Sequence, residues 1–120
     1  MQYGSYLCCK DHIEEVRNFL GKFFEESKDR YNHSGWITFK TPGGFLINLM
    51  RGKGQEMTKN MTFEIYCQSL EELKKYAKKF NQEIQSFNTT ESLSPYKYNF
   101  IEIYGPQNIC KVEISYSEDL

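Results

Sequence analysis

The sequence predicts an α+β domain of two tandem βαββ(β) modules, in which a curved mixed sheet forms a cleft and two helices lie on its outer face. Three observations lead there. First, the chain repeats itself: Asp11 to Phe23 (Asp-His-Ile-Glu-Glu-Val-Arg-Asn-Phe-Leu-Gly-Lys-Phe) recurs as Gln68 to Phe80 (Gln-Ser-Leu-Glu-Glu-Leu-Lys-Lys-Tyr-Ala-Lys-Lys-Phe). The offset is constant, since 70 − 13 and 80 − 23 both give 57, and a fixed offset near half the length marks two copies of one supersecondary unit. Second, each copy of the helical segment is followed by a pair of alternating segments joined by a turn signal. Third, two helices of this length cannot cover both faces of a sheet of six to eight strands, so one face is left open.

The elements follow in order. Ser5 to Cys9 reads as a first strand. A helix spans about Asp11 to Glu26, with Asp11 as N-cap and Glu14 three residues on, in the manner of a capping box. Ile13, Val16, Leu20 and Phe23 then fall on one face at helical spacing. Ser27 to Ser34 is polar and reads as a loop or a ragged strand start. Trp36 to Lys40 and Phe45 to Met50 form a hairpin across Thr41-Pro42-Gly43-Gly44, where proline sets φ and glycine supplies positive φ. Arg51 to Asn60 is polar and carries Gly52 and Gly54, the natural hinge between halves.

The second module opens with a strand at Met61 to Cys67. Ser69 caps the second helix and Glu72 completes its capping box, while Leu70, Leu73, Ala77, Phe80 and Ile84 make the buried stripe. Phe87 to Pro95 is a Ser/Thr-rich connection with room for an irregular strand. Tyr96 to Tyr104 and Ile109 to Ser115 form the last hairpin, and Ser117 to Leu120 is expected to fray. A single domain over 1–120 is expected, with module one at 1–52, a linker at 53–60 and module two at 61–120.

Composition narrows the function classes. Hydrophobic residues make up only 39% of the chain but aromatic ones 16%, so core and pocket walls should be rich in Phe and Tyr. Fifteen basic and 16 acidic residues leave a formal charge of −1, which provides no net pull toward nucleic acid. No stretch approaches the roughly 18 apolar residues of a membrane span. Met1 to Lys10 lacks the basic and apolar runs of a signal peptide, so a cytoplasmic protein is expected. Cys8, Cys9, Cys67 and Cys110 contain no C-x-x-C spacing and are expected to be reduced and mostly buried. Cys9, just before Lys10 and the first helix, is the thiol best placed for labelling.

Strand alternation sorts the residues by face. Phe63, Ile65 and Cys67 suit the helix side, which turns Thr62, Glu64 and Tyr66 to the other. Phe45, Ile47 and Leu49 leave Leu46, Asn48 and Met50. Val112, Ile114 and Tyr116 leave Lys111, Glu113 and Ser115. Asn99, Ile101 and Ile103 form one set in the last hairpin; Tyr98, Phe100, Glu102 and Tyr104 form the other. The open face thus gathers Asn48, Thr62, Glu64, Tyr66, Phe100, Glu102 and Glu113, aromatic with several carboxylates. A curled sheet would make of them a cavity with apolar walls and few polar groups, as ligand sites usually have. His12, in the first helical turn, and His33, in the polar loop before Trp36, belong on no inner strand face and read as surface or capping residues.

The modular order, the helix starting Asp11-His12-Ile13-Glu14-Glu15-Val16 after strand one, and the ending Phe100 to Asn108 followed by Val112-Glu113-Ile114 resemble the vicinal oxygen chelate superfamily, the glyoxalase / bleomycin-resistance / dioxygenase fold. A ferredoxin-like fold is also duplicated, but it carries one strand after each helix where this sequence supplies two. In metal-dependent members of the superfamily the resemblance places ligands on the first and last strands of each module. Here those positions fall at Gly4 or Ser5, Asn48, Met61 or Thr62, and Glu113. Only Glu113 is a strong donor, and transition-metal sites need about three protein ligands. No metal and no cofactor are therefore expected, and Glu113 is the one candidate catalytic residue. The resemblance to the bleomycin-resistance branch implies instead a homodimer whose cleft binds a small aromatic or cationic molecule. Trp36, Tyr66, Phe100 and Tyr104 would stack on it, and Glu64, Glu102 or Glu113 would pair with its charge. The alternative is a divalent-metal-dependent lyase, isomerase or dioxygenase of the same superfamily.

Overall fold

A computed structural model describes residues 1–27, 35–90 and 93–120. The first half runs β1 (Gly4–Cys8), a 3-10 turn (Lys10–His12), α1 (Ile13–Leu20), β2 (Glu25–Glu26), β3 (Trp36–Lys40) and β4 (Leu46–Met50). The second runs β5 (Met61–Tyr66), α2 (Leu70–Lys79), β6 (Gln85–Asn88), β7 (Tyr96–Tyr104), a 3-10 turn (Pro106–Asn108) and β8 (Cys110–Asp119). The strands form two four-stranded sheets, ordered β1-β4-β3-β2 and β5-β8-β7-β6. Each half is thus βαβββ with the same strand order. The duplicated helix period of the sequence is a duplicated topology, and β2 and β6 are the additional short strand of each module.

Both sheets are mixed. β1 runs parallel to β4, with Tyr6 beside Asn48, and β3 is antiparallel to β4 and β2. β7 is antiparallel to β8 and β6. Between β5 and β8, Met61 N donates to Ile109 O (3.0 Å) and Cys67 N to Ser115 O (2.7 Å), the same sequence offset at both ends, as a parallel pair requires.

The chain divides into two compact units: Met1–Met61 with Gly105–Cys110, and Thr62–Tyr104 with Lys111–Leu120. In the first, Leu7, Ile13, Val16, Leu20, Ile37, Phe39, Ile47, Leu49 and Ile109 are buried almost completely, so α1 packs its apolar stripe on the sheet. In the second, Leu73, Ile101, Val112 and Ile114 do the same under α2. Gly52 fits only as glycine: its φ is +67°, and a Cβ there would lie 2.1 Å from Cys8 Sγ.

The two helices begin differently. Ser69 caps α2, accepting from Glu72 N at 3.1 Å, while the Glu72 carboxylate reaches back to Gln68 N at 3.0 Å. That capping box was legible in the sequence; the one expected at Asp11 does not form. Lys10 takes φ +52° and a 3-10 turn places Asp11 ahead of the helix, so His12 stands at the N-cap without a side-chain cap bond. α1 also stops at Leu20 rather than near Glu26. Beyond Gly21 the chain turns into β2, which Arg17 holds against the helix by a two-armed ion pair with Glu26 (Nη2–Oε2 2.9 Å).

Further boundaries move. Phe45 precedes β4 and is 40% exposed, and Ile84 lies beyond the end of α2. The expected frayed tail is strand: β8 continues to Asp119, opposite Tyr96. The Thr41–Gly44 turn forms as read, with Gly44 N donating to Thr41 O at 2.9 Å. His33 and the rest of 28–34 lie outside the described residues. Among the described residues, no helix is long and apolar enough to cross a membrane.

Candidate functional site

Each sheet has one face toward its helix and one away from it, and the sequence-predicted site residues divide between the two sheets. Trp36 and Asn48 lie on the first, on β3 and β4. Thr62, Glu64 and Tyr66 lie on β5, Phe100, Glu102 and Tyr104 on β7, and Glu113 on β8, all in the second. Their alternation is as read from the sequence: Thr62, Glu64 and Tyr66 are exposed, while Phe63 and Ile65 between them are partly covered.

On the second sheet the register aligns three carboxylates across three strands. Glu102 stands directly opposite Glu113 in the β7/β8 ladder. Cys9 N in β1/β4 bonds the carbonyl one residue short of its register partner, and the same pattern from Cys67 N to Ser115 O sets Glu64 beside Glu113. The charges of Glu64 and Glu113 both act on Tyr66 and on Tyr98, as that adjacency requires. Neighbouring strands are about 4.8 Å apart, so like charges in one row repel.

Each carboxylate of the row accepts from a tyrosine hydroxyl: Tyr66 donates to Glu64, Tyr98 to Glu113, and Tyr104 to Glu102 at 2.9 Å. All three phenols are pushed above their ordinary pKa. The bond to Glu64 is the main cause for Tyr66 and the bond to Glu102 for Tyr104. Tyr98 reaches about 12, first through burial and then through Glu113. Lys111 completes the row at one end only. Its Nζ lies 2.7 Å from Glu102 and 5.6 Å from the centre of the Tyr104 ring. Bonds from Lys111 and Tyr104 hold the Glu102 carboxyl below its usual range, and Glu102 in turn raises Lys111. Among the described residues no lysine, arginine or histidine pairs with Glu64 or Glu113.

Beside the row is an aromatic surface. Tyr98 and Phe100 stack at 5.3 Å and 28°, and Phe87 of β6 packs on both, at 5.4 and 6.0 Å. Phe87 is 52% exposed and Tyr66 and Tyr104 are each 68% exposed, so large ring areas remain open. Tyr98, Lys111 and Phe87 were absent from the site set derived from the sequence. Alternation already put Tyr98 and Lys111 on this face; their bonds to Glu113 and Glu102 are what make them part of it. Phe87 needed β6, whose short polar sequence carries little strand signal.

The first sheet answers the same positions with neutral residues. Tyr6 stands three positions before Cys9 and Glu64 three before Cys67, so the row Tyr6–Asn48–Thr38 corresponds to Glu64–Glu113–Glu102. Trp36 Nε1 donates to Thr38 Oγ1 (3.1 Å), Thr38 Oγ1 to Asn48 Oδ1 (2.8 Å), and Asn48 Nδ2 to Ser5 O (3.1 Å). Thr38 is fully buried. Polar capacity here is used within the chain.

Solved structures match this architecture over nearly its whole length. One described as a conserved domain protein aligns with 98% of this chain and 99% of its own, at 11% identity and TM-score 0.57. A glyoxalase/dioxygenase from Nostoc punctiforme aligns with 97% of this chain and 90% of its own, at 15% identity and TM-score 0.55. A member of the glyoxalase/bleomycin resistance protein/dioxygenase superfamily from Sphaerobacter thermophilus covers 97% and 96%, at 9% identity and TM-score 0.52. The chain has the vicinal oxygen chelate fold. No protein-family profile and no curated protein matches the sequence.

Metal-dependent members with the vicinal oxygen chelate fold set the question of whether these residues suit a divalent ion. Gly4 offers no side chain and packs on Leu46. Asn48 spends both amide atoms on Thr38 and Ser5. Met61 and Thr62 are poor ligands, and Glu113 alone is a carboxylate. Among the described residues no group of three His, Cys, Asp or Glu side chains is arranged to hold a metal ion. Such a donor set does not fit a divalent metal. The histidine that can be placed, His12, pairs with Glu15 at 2.9 Å on the helix surface. The four cysteines are free and buried, as expected. Cys9 is a poor target for labelling: burial is the main cause that pushes its thiol to about 12.

Proposed function

We propose that this protein binds a small aromatic cation on the open face of its second sheet and does so without a metal ion. The observation that carries this reading is the adjacency of the aromatic cluster Phe87–Tyr98–Phe100, exposed at Phe87, to Glu64 and Glu113, two carboxylates that form no ion pair within 4 Å among the described residues. A planar ring gains contact area and quadrupole attraction from the first, and its charge gains from the second. A cation over an exposed ring is worth about 0.5–1 kcal/mol, so the rings alone give weak binding and the carboxylates must supply the rest.

Calorimetric titration with benzylamine and with its neutral counterpart benzyl alcohol tests the proposal. Saturable binding of the amine is expected, weakened by salt and absent for the alcohol. The Glu64→Gln/Glu113→Gln double variant should lose most of that affinity. A flat titration for the amine, or equal binding of amine and alcohol, contradicts the reading.

A further inference from the structure

Helix α2 carries a basic stripe on its solvent side. Leu73 and Ala77 are buried, and Lys74, Lys75, Lys78 and Lys79 stand exposed on the opposite side of the helix. Lys74 lies 3.5 Å from Glu71, while Lys75, Lys78 and Lys79 form no ion pair among the described residues. Like charges three and four residues apart on a helix repel. The helix dipole favours Lys78 and Lys79 in the last turn, but not Lys75 a turn earlier. The scaffold does not require the stripe. At the repeat offset of 57, Lys75 and Lys78 correspond to Asn18 and Gly21, and Arg17, the counterpart of Lys74, is spent on Glu26.

Two further observations say what fits this face. Lys75 and Lys79, one turn apart, border a shallow hollow of about 250 Å³ with Tyr76 and Glu72. The Glu72 carboxylate is turned back to Gln68 N at 3.0 Å, and Tyr76 stacks on Phe80 at 6.5 Å and 6°, so rings flank the lysines. Lys79 Nζ lies 5.4 Å from the centre of the Phe80 ring. The second observation is charge segregation. Glu64, Glu102 and Glu113 occupy the sheet face away from α2, since Glu102 and Glu113 alternate with Ile101, Val112 and Ile114 beneath the helix.

We propose that the lysine stripe of α2 docks on an anionic phospholipid surface, with a headgroup phosphate seated between Lys75 and Lys79. Four lysines on one amphipathic helix supply the charge for such a surface. Lysine is a compact, mobile point charge suited to a fluid array of headgroups, whereas fixed two-armed recognition of a single phosphate calls for arginine. Tyr76 has the apolar body and polar tip that suit the headgroup level. The carboxylate row is repelled by the same surface, which turns α2 toward lipid and the open face of the second sheet toward water. This docking does not depend on the aromatic-cation reading.

The test is cosedimentation of the full chain with vesicles of phosphatidylcholine alone and of phosphatidylcholine mixed with phosphatidylserine. Partitioning onto the mixed vesicles is expected to be at least about tenfold higher and to fall as salt rises. The Lys75→Gln/Lys78→Gln/Lys79→Gln variant, altered only at exposed positions, should lose that preference, while Lys22→Gln should keep it. Equal partitioning onto the two vesicles, or a preference that survives the triple variant, overturns the proposal. Release from the mixed vesicles by an equal phosphate concentration of a single-stranded oligonucleotide, or of inorganic phosphate, also overturns it, in favour of nucleic acid or the free ion.

Discussion

The two sheets share strand order, and their matching rows are used in opposite ways. In the first, Trp36, Thr38, Asn48 and the Ser5 carbonyl close a hydrogen-bonded chain, with Thr38 fully buried. In the second, the corresponding row carries Glu64, Glu113 and Glu102, with Tyr66, Tyr104 and Phe87 exposed around it. One scaffold has therefore placed polar groups where they satisfy one another in one copy and where they repel one another in the other. Satisfied buried networks rigidify a fold, and like charges aligned beside exposed aromatic rings are the local conflict on which the proposed binding reading rests.

Exchanging residues between the rows breaks the comparison most strongly. Thr38→Glu puts a carboxylate into a fully buried position and disrupts the Trp36–Thr38–Asn48 chain; a loss of about 3 kcal/mol or more in urea unfolding is expected. The reciprocal Glu102→Thr removes a like charge opposite Glu113 and should change stability by less than about 1 kcal/mol. Comparable losses from both would show that the two rows are not energetically different.

A smaller effect sharpens the contrast within the second row. Lys111→Met should cost less than about 1 kcal/mol near neutral pH, because the Glu102–Lys111 pair is only partly buried. Its pH dependence has a definite sign. Glu102 is held below its ordinary value, so its contribution is present above the unfolded carboxylate pKa and is lost as pH falls through the folded one. Lys111 is raised, so its contribution is present below the unfolded lysine pKa and is lost as pH rises through the folded one. The stability difference between wild type and variant should be flat through neutral pH and shrink at both ends. A difference that grows toward acid would mean that Lys111 does not act through Glu102.

The repeat and the turn chemistry made the modular fold legible, because helical periodicity and Pro/Gly signals are local. Face sorting worked for the same reason, since Ile101, Val112 and Ile114 alternate with Glu102, Lys111 and Glu113 along continuous strands. What failed depended on partners distant in sequence. Asp11 has the right residue type for a cap, but the backbone at Lys10 takes it out of position. Ser117 to Asp119 looked polar and loose, yet β7 offers them a ladder. The three Glu–Tyr pairs, and the direct bond of Lys111 to Glu102, required the register of β5, β8 and β7, which no local pattern encodes.

The central claim is that binding belongs to the second sheet and that the matching row of the first is structural. Amide chemical-shift mapping during titration with benzamidine tests it most directly. The account predicts saturating shifts concentrated at Glu64, Tyr66, Tyr98, Phe100 and Glu113, with Tyr6, Thr38 and Asn48 nearly unmoved. Shifts concentrated at Tyr6, Thr38 and Asn48 instead, or spread equally over both rows, would contradict it.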